Sequence, residues 1–441
     1  MTDTLPQGQV LLRRVALSSL LGTAIEYYDF LVYGTMSALV FGLVFFPESD
    51  PAVATIAAFG TLAAGYVARP VGGILFGHFG DRVGRKSMLV LTMALMGVAS
   101  FLVGVLPTFA SIGIAAPILL VALRVIQGVA IGGEWGGATL MVTEHAEPHR
   151  RGTWNGVMQM GSPIGSLLSV AAVTVITLLP DEAFLSWGWR IPFFISLLLL
   201  ALGIYVRLSV TESPVFAQAK NADRRTDRIP LVDILRRPRN LVLACAVGIG
   251  PFALTALIST YMISYATAIG FHRTDVMTAL IFTSTTALVT IPLFSALSDR
   301  LGRRPVIVTG AVGIVCYAWP FYALIDTGSV PLLFVGMVIA QVLQSLMYAP
   351  LGALFSEMFG TRVRYTGASM GYQLAALLGA GFTPLIASGL LADGPSSTPL
   401  VVLAAGCGVV TIVAVWRITE TRGVALEDLE SASLAARVSG E

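Results

Sequence analysis

The stretch Asp81-Arg82-Val83-Gly84-Arg85-Lys86 returns later in the chain as Asp299-Arg300-Leu301-Gly302-Arg303-Arg304. The two stretches start 299 − 81 = 218 positions apart, which is about half of the 441 residues. A second echo follows in each half, because Glu144 precedes Arg151, and Glu357 precedes Arg364, by the same seven positions. The spacing predicts a chain built from two copies of one unit, with a short charged loop at the same place in each.

The composition indicates a chain that is surrounded mostly by lipid. Hydrophobic residues make up 56% of the sequence and charged residues only 12%, with a mean hydropathy of +0.82. Soluble domains carry about 25% charged residues, so this chain has too little polar surface to face water throughout. The three cysteines lie in apolar runs and form no metal-binding pattern.

Apolar stretches of about 20 residues, each long enough to span a bilayer, occur twelve times. We predict spanning helices at residues 15–46, 53–77, 88–107, 112–142, 153–179, 187–208, 239–267, 275–298, 305–325, 330–356, 366–391 and 398–417. The predicted organisation is a cytoplasmic N-terminus (1–14), a six-helix bundle (15–208), a basic cytoplasmic linker (209–238), a second six-helix bundle (239–417) and a cytoplasmic tail (418–441).

The placement of charges orients this prediction. If the N-terminus is cytoplasmic, the outer loops hold only Arg190 and Arg273 among the basic residues, while they carry several carboxylates. Lys and Arg concentrate on the cytoplasmic side of membrane proteins. Both termini are therefore expected in the cytoplasm, and the chain is expected to cross the membrane an even number of times.

Several motifs resemble those of a known transporter family. They are Gly77-His78-Phe79-Gly80-Asp81-Arg82-Val83-Gly84-Arg85-Lys86, Ile25-Glu26-Tyr27-Tyr28-Asp29-Phe30, Arg69-Pro70-Val71-Gly72-Gly73, Gly132-Gly133-Glu134-Trp135-Gly136-Gly137-Ala138, Trp187-Gly188-Trp189-Arg190-Ile191-Pro192-Phe193 and Arg364-Tyr365-Thr366-Gly367. The first resembles the loop signature of the major facilitator superfamily, and together they resemble its bacterial metabolite:proton symporters, which carry 2-oxoglutarate, citrate, shikimate or proline and betaine.

This resemblance implies an all-α membrane protein with 12 transmembrane helices in two pseudo-symmetric six-helix bundles. It implies a secondary active transporter in the bacterial cytoplasmic (inner) membrane, which works by alternating access and as a monomer. The implied partners are a small organic solute and the lipid bilayer, with no nucleic acid. The proton is the coupling ion, and no other cofactor is implied.

Three ionisable residues lie deep within predicted helices, where a charge costs about 2.5–3.5 kcal/mol on insertion scales. Glu26 and Asp29 share one face of the first helix with Tyr33. With the helix starting at residue 15, Asp29 is ~21 Å deep in a ~30 Å core. Arg124 enters from the other side in the fourth helix and reaches a similar depth. We expect Arg124 to pair with Glu26 or Asp29.

This arrangement predicts a proton switch. Burial favours the neutral form of a carboxylate and a nearby guanidinium favours its charged form, so a solute that competes for Arg124 changes proton binding. Asp29, Glu26 and Glu134 are the proton-coupling candidates, and Arg124 is a substrate-binding candidate. The alternative is that these residues form static ion pairs between helices.

Uncharged polar residues of the second half are candidates for orienting a solute. Gln341, Gln344 and Tyr348 follow one face of the tenth helix, Tyr265 lies in the seventh, and Gln373 lies in the eleventh. With Tyr33 they complete the predicted substrate-binding set. Hydrogen bonding between helices is the alternative role for each of them.

The repeated loops are expected to form a cytoplasmic gate rather than to touch solute. The gate candidates are Asp81, Arg82, Arg85, Glu144, Asp299, Arg300, Arg303 and Glu357. We expect Glu144 to pair with Arg85 and Glu357 to pair with Arg303.

The leading function is proton-driven uptake of a small organic solute, with a carboxylate metabolite favoured because a guanidinium matches a carboxylate. A proline- or betaine-type zwitterion and proton-coupled export are the alternatives. An enzyme is not expected, because the sequence shows no nucleophile–base pair, phosphate-binding loop or metal-ligand cluster.

Overall fold

A computed structural model describes residues 7–83, 85–209, 234, 238–360, 363–391 and 396–424. Within these ranges all regular secondary structure is helical. Eleven of the described helices are long and apolar enough to cross a membrane. They are α1 (Leu12–Phe45), α2 (Pro51–Phe76), α4 (Ala115–His145), α5 (Pro148–Ile176), α6 (Gly188–Tyr205), α7 (Arg239–Ala268), α8 (Arg273–Leu301), α9 (Arg303–Asp326), α10 (Val330–Glu357), α11 (Arg364–Leu390) and α12 (Ser397–Trp416). Helix α3 (Arg85–Val105) has a shorter apolar part, Val90–Val105.

Each of the twelve predicted spans corresponds to one of these helices. Most of the predicted linker 209–238, the N-terminal residues 1–6 and the tail from residue 425 lie outside the described residues, so those boundaries stay predictions. The predicted loop between the second and third helices is largely helical, since α2 continues to Val83 and the next helix begins at Arg85. In the second half, Gly302 joins α8 to α9 with a φ of +105°, a conformation that glycine adopts readily.

The two halves share an irregularity as well as a loop. Helix α1 contains a π-helical turn at Ser37–Phe41, and α7 contains one at Leu257–Tyr261. Their starts differ by 257 − 37 = 220 positions, close to the offset between the charged loops. Turns of this kind are rare and occur often at functional sites. Their matched placement supports the repeat, and the turn in α7 brings Ser259 to the central cavities.

Helices of opposite halves meet along two lines. Helix α5 packs against α8, and α2 packs against α11. Between these two lines, α1 faces the π-helical turn of α7. The central cavities lie there, lined by residues of both halves.

Candidate functional site

Two adjoining cavities lie between the halves. They share Tyr27, Leu31, Thr255 and Ser259 as lining residues. The first, which we call the charged cavity, is also lined by Glu26 and Arg69. The second, which we call the neutral cavity, is lined instead by hydroxyl and amide groups and contains no charged lining residue among those that the structure describes.

The charged cavity is built around a buried ion pair between α1 and α2. Glu26 is 3% exposed and Arg69 is 4% exposed, and their Oε1 and Nη1 atoms are 3.7 Å apart. The Arg69 guanidinium also lies 3.8 Å from the ring centre of Phe30 and 4.3 Å from that of Tyr66. Its Nε atom has no hydrogen-bond partner within the described part of the chain. One N–H donor of the guanidinium therefore stays unused beside the ion pair.

Glycines in α2 and α4 determine where Arg69 lies. A Cβ atom on Gly72 would come within 1.8 Å of the Val129 carbonyl oxygen, and one on Gly132 would come within 1.9 Å of the Arg69 carbonyl oxygen. No larger residue fits at either position without separating the helices. The close contact of the two backbones thus depends on these glycines, as is common between helices in membranes.

The predicted pairing of Arg124 with Glu26 or Asp29 is wrong. Glu26 pairs with Arg69, and neither carboxylate lies within 4.0 Å of the Arg124 guanidinium among the described ion pairs. Arg124 is fully buried, lies 3.8 Å from the ring centre of Phe30 and donates from Nη1 to Gln127 at 3.1 Å. The prediction failed because the depth of a residue along a helix does not tell in which direction its side chain points around the helix axis. In the structure, the Arg124 guanidinium lies over the ring of Phe30.

Asp29 lies outside both cavity linings and interacts electrostatically with Arg124. The carboxylate is 1% exposed and accepts a hydrogen bond from the Ser196 hydroxyl of α6, while its Oδ2 atom has no partner among described residues. Gln127, which binds Arg124, donates to the Ser100 hydroxyl at 2.6 Å. The half-satisfied Asp29 carboxylate is a protonatable group in a dry environment.

Glu134 begins the second segment of α4, after an interruption at Gly132 and Gly133. It is buried, at 4% exposed, and it is one of the charged neighbours of Glu26. It therefore adds a third carboxylate to the same region, although it is absent from the linings of the two cavities.

The neutral cavity carries three of the predicted solute-binding residues, Gln341, Gln344 and Tyr348. Gln341 donates to the Gln344 Oε1 atom at 2.8 Å, and Gln344 donates to the Thr255 hydroxyl at 2.8 Å. These bonds fix the orientation of both amides along the wall.

Tyrosines of both halves meet where the cavities join. The Tyr27 hydroxyl is 2.9 Å from that of Tyr348 and 3.2 Å from that of Tyr372. Trp135 stacks on Tyr372 with 3.7 Å between ring centres. This cluster crosses from α1 and α4 to α10 and α11, so a movement of one half against the other must rearrange it.

Three predicted solute-binding residues lie elsewhere. Tyr33 donates to Thr61 at 2.7 Å and packs under Arg124, while Tyr265 donates to Asp326 at 2.5 Å. Gln373 is buried and donates to the Gly132 carbonyl at 3.3 Å across the halves. None of the three lines either cavity.

The predicted gate residues of the second half form a cluster at the end of the bundle where α9 begins, which we call the basic end. Arg303 lies 2.7 Å from Asp299 and 3.2 Å from Glu357, so the predicted Arg303–Glu357 contact is present. Asp299 accepts from the backbone N–H groups of Gly152 and Thr153, at 2.9 and 2.7 Å, in the first turn of a helix of the other half. A carboxylate is favoured at a helix N-terminus.

The equivalent first-half cluster is less completely described. The side chains of Asp81, Arg82 and Arg85 lie outside the described residues, so the predicted Arg85–Glu144 pair stays a prediction. Glu144 and Arg300 are exposed. The structure therefore shows one of the two predicted loop contacts.

Sequence reasoning missed Arg69 as a cavity residue and the segment after α12 as part of the basic end. Thr421 donates to Glu357 at 2.5 Å, and Glu420 accepts from the backbone N–H of Arg303 at 2.9 Å. A signal for Arg69 was present, since it lies within a helix and beside a glycine pair. Nothing in the local sequence marks Glu420.

Comparison with known proteins agrees with this geometry. The sequence model of the Major Facilitator Superfamily matches residues 17–370 and, in an overlapping second match, 262–438. The chain belongs to the Major Facilitator Superfamily. Members of this superfamily are transporters, not enzymes, and the chain is a multi-pass membrane protein that transports a small solute.

Relatives within the superfamily are similar over most of their length. The shikimate transporter of Escherichia coli is 40% identical over 402 residues, which cover 90% of this chain and 92% of that protein. An inner membrane metabolite transport protein of Escherichia coli is 39% identical, with 93% and 94% covered. The proline/betaine transporter of Salmonella typhimurium is 34% identical, with 86% and 78% covered.

A solved structure of a D-xylose-proton symporter has the same fold. It superposes with a TM-score of 0.74 at 19% identity and covers 93% of this chain and 99% of that one. At this identity the likeness concerns the fold alone. It confirms the expected fold of twelve helices in two six-helix bundles.

Proposed function

We propose that this chain is a proton-coupled symporter that takes up a small carboxylate metabolite by alternating access. The observation that carries the proposal is the Glu26–Arg69 pair on the wall of a central cavity. A guanidinium binds a carboxylate with strong, charge-assisted hydrogen bonds. Arg69, rather than Arg124, is the cation that a solute in this cavity reaches.

Coupling follows from competition for Arg69. When Glu26 is charged it holds Arg69, and when Glu26 takes a proton it releases the guanidinium for the carboxylate of the solute. Protonation of Glu26 leaves Arg69 without a counter-charge, which the solute carboxylate supplies. When the solute holds Arg69, Glu26 lacks a counter-charge until it binds a proton. Binding of the proton and binding of the solute therefore favour each other. Loss of the proton on the other side reverses both steps.

Asp29 is proposed as a second protonatable group. It is linked through Ser196 to α6 and lies near Arg124. Protonation of Asp29 changes the net charge beside Arg124. Asp29 lines neither cavity, so it does this without contacting the solute. Glu134 is the third proton-coupling candidate because it neighbours Glu26.

Alternating access requires contacts that break at each end in turn. At the basic end, Asp299 binds the first turn of α5. Midway along the bundle, the Ser166 and Ser284 hydroxyls, which line the neutral cavity, are 2.7 Å apart, and at the opposite end Arg273 lies 3.0 Å from Asp181. We propose that the basic end faces the cytoplasm, that both termini are cytoplasmic and that the monomer functions in the bacterial cytoplasmic membrane.

A zwitterion is the second candidate solute. Aromatic rings of Tyr27, Tyr66, Phe252 and Tyr372 line the charged cavity, and rings of this kind attract quaternary ammonium groups. The similarity to proline/betaine transporters points the same way. Proton-coupled export would use the same residues as proton-coupled uptake. The two are distinguished by whether the solute accumulates in proteoliposomes with an acidic exterior or in proteoliposomes with an acidic interior.

Reconstituted protein tests the proposal. A thermal-shift panel of carboxylates, amino acids and betaines identifies a binder, and its radiolabelled form is offered to proteoliposomes with an acidic exterior. We expect accumulation that an uncoupler abolishes. Accumulation that persists at full level after the proton gradient has collapsed contradicts proton symport, and a panel in which only betaines bind supports the second candidate.

A further inference from the structure

Helices α4 and α10 are interrupted at equivalent positions. The first segment of α4 has Gly132 as its C-cap, and the first segment of α10 has Ala349. These two residues are 349 − 132 = 217 positions apart, close to the offset between the charged loops. The last carbonyl groups of a helical segment lack partners within that segment, so each interruption leaves acceptors for donors from elsewhere.

A buried glutamine of the opposite half supplies a donor at each interruption. Gln159 of α5 donates from Nε2 to the Ala349 carbonyl at 2.9 Å, and Gln373 of α11 donates from Nε2 to the Gly132 carbonyl at 3.3 Å. Helices α5 and α11 are the fifth helices of their halves, so the repeat relates the two contacts to each other. We call these two contacts the amide locks.

Both amide locks lie between the cavities and the basic end. Ser162, one turn beyond Gln159, lines the neutral cavity, and Tyr372, beside Gln373, lines the charged cavity. Helices α5 and α11 both begin at the basic end. Separation of the halves at the basic end, which opens the cavities in that direction, therefore breaks both amide locks.

Each amide lock is incomplete in a way that favours reopening. The side chains of Gln159 and Gln373 are 0% exposed, and the Oε1 atom of each has no hydrogen-bond partner among the residues that the structure describes. A buried acceptor without a partner is costly, whereas the same oxygen meets water once the halves have separated. The bond through Nε2 thus holds the end closed, and the unpaired Oε1 keeps that closure reversible.

We propose that Gln159 and Gln373 are paired positioning residues that hold the basic end closed, and that both amides release their carbonyl partners each time this end opens. The proposal rests on the alternating access of the proposed function, but on neither its solute nor its coupling ion. It gives Gln373, which the sequence predicted to bind the solute, a role in gating instead.

Thiol alkylation at the two ends tests the amide locks in the purified full-length protein, with a soluble maleimide as the probe and the native cysteines replaced. Ser356→Cys reports on the basic end, because Ser356 is buried and its hydroxyl lies 3.3 Å from that of Thr143 across the halves. Ser388→Cys reports on the other end, because Ser388 is buried in the last segment of α11, which packs against α2.

Shortening either glutamine withdraws its amide from the carbonyl that it binds. In Gln159→Asn and in Gln373→Asn we expect the alkylation rate of Ser356→Cys to rise about tenfold and that of Ser388→Cys to fall, because the closed state then buries an amide without partners. Gln159→Glu and Gln373→Glu form a second pair with the same expectation, since a carboxylate oxygen repels the carbonyl oxygen that faces it.

Asn240→Ser is the matched control. Asn240 also donates from an amide to a backbone carbonyl, that of Met358 at 2.9 Å, but both residues belong to the second half. The bond therefore does not cross between the halves, and we expect its loss to leave both alkylation rates unchanged.

Opposite changes at the two ends distinguish gating from loosened packing. Rates that rise at both ends, or rates that change no more than in Asn240→Ser, overturn the inference. Alkylation requires neither solute nor a proton gradient, so its result is independent of the uptake assay. Failure of proton-driven uptake by wild-type proteoliposomes overturns the proposed coupling and leaves the amide locks standing.

Discussion

The α1–α2 side of the central cavities carries a buried ion pair, whereas the α7–α8–α10 side carries hydroxyl and amide groups. Glu26 and Arg69 can change partners when a proton binds, because one of them is titratable. Gln341, Gln344 and Thr255 keep the same charge at every physiological pH. The difference indicates a division of labour, in which the first half responds to the proton and the second half recognises the shape and hydrogen bonding of the solute.

The largest effect is expected from Arg69→Gln. The change removes the anion site and leaves Glu26 buried without its partner, so uptake should fall about 100-fold, as for the loss of about 3 kcal/mol of charge-assisted binding. Uptake of the identified solute into proteoliposomes measures this. Arg69→Lys is the control, since it keeps the charge, and we expect partial activity. Full activity of Arg69→Gln would remove Arg69 from the anion site.

The next prediction concerns Asp29→Asn. Asparagine retains an oxygen that can accept from Ser196 but binds no proton in this range, so we expect loss of accumulation with exchange of solute retained. A one-proton symporter accumulates at most about tenfold per pH unit of gradient, because a unit corresponds to about 1.36 kcal/mol. Accumulation ratios and counterflow are measured side by side. Unchanged concentrative uptake contradicts a coupling role for Asp29.

A smaller effect is expected on the opposite wall. Gln344→Met keeps the approximate size of the side chain and removes its bonds to Gln341 and Thr255. We expect solute affinity to fall about fivefold, as for the loss of a neutral hydrogen bond, with the accumulation ratio unchanged. A loss of accumulation at saturating solute would show that the second half also takes part in coupling.

The smallest effect on transport is expected at the basic end, where a substitution changes no residue that lines the two cavities. Asp299→Asn weakens the contacts with Gly152, Thr153 and Arg303, so the halves should separate there more often. With the native cysteines replaced, the alkylation rate of Ser356→Cys, a buried position at this end, should rise about tenfold. Asp275→Asn, at the other end of α8, is the control. An unchanged rate contradicts a gating role.

Sequence alone predicted the architecture because hydrophobic length and repetition are properties of the chain itself. The copy of the charged loop at Asp299 indicated two related halves, and the ionisable residues predicted to lie deep in helices, Glu26, Asp29 and Arg124, all belong to the first half. The contact between Arg303 and Glu357 was also predictable, since Arg303 begins α9 and Glu357 ends α10, at the same end of the bundle.

The partners inside the bundle were not predictable in the same way. Depth along a helix placed Arg124 level with Asp29, but rotation about α4 and the position of Phe30 decide that Arg124 stays behind the cavity wall. Arg69 reaches the cavity because Gly72 and Gly132 let α2 and α4 approach closely. Contacts of this kind depend on packing between distant segments, and one sequence does not encode them locally.

Glu26→Gln gives the most direct test of the division between the halves. Proteoliposomes with an acidic exterior are loaded with this variant, with wild-type protein or with Gln344→Met, and the accumulation ratio is measured at saturating solute. The account predicts a ratio of about one for Glu26→Gln with counterflow intact, because Glu26 is the proton site that competes with the solute for Arg69. It predicts the wild-type ratio for Gln344→Met, at most about tenfold per pH unit for one proton, because Gln344 does not titrate. Wild-type accumulation by Glu26→Gln would contradict the account.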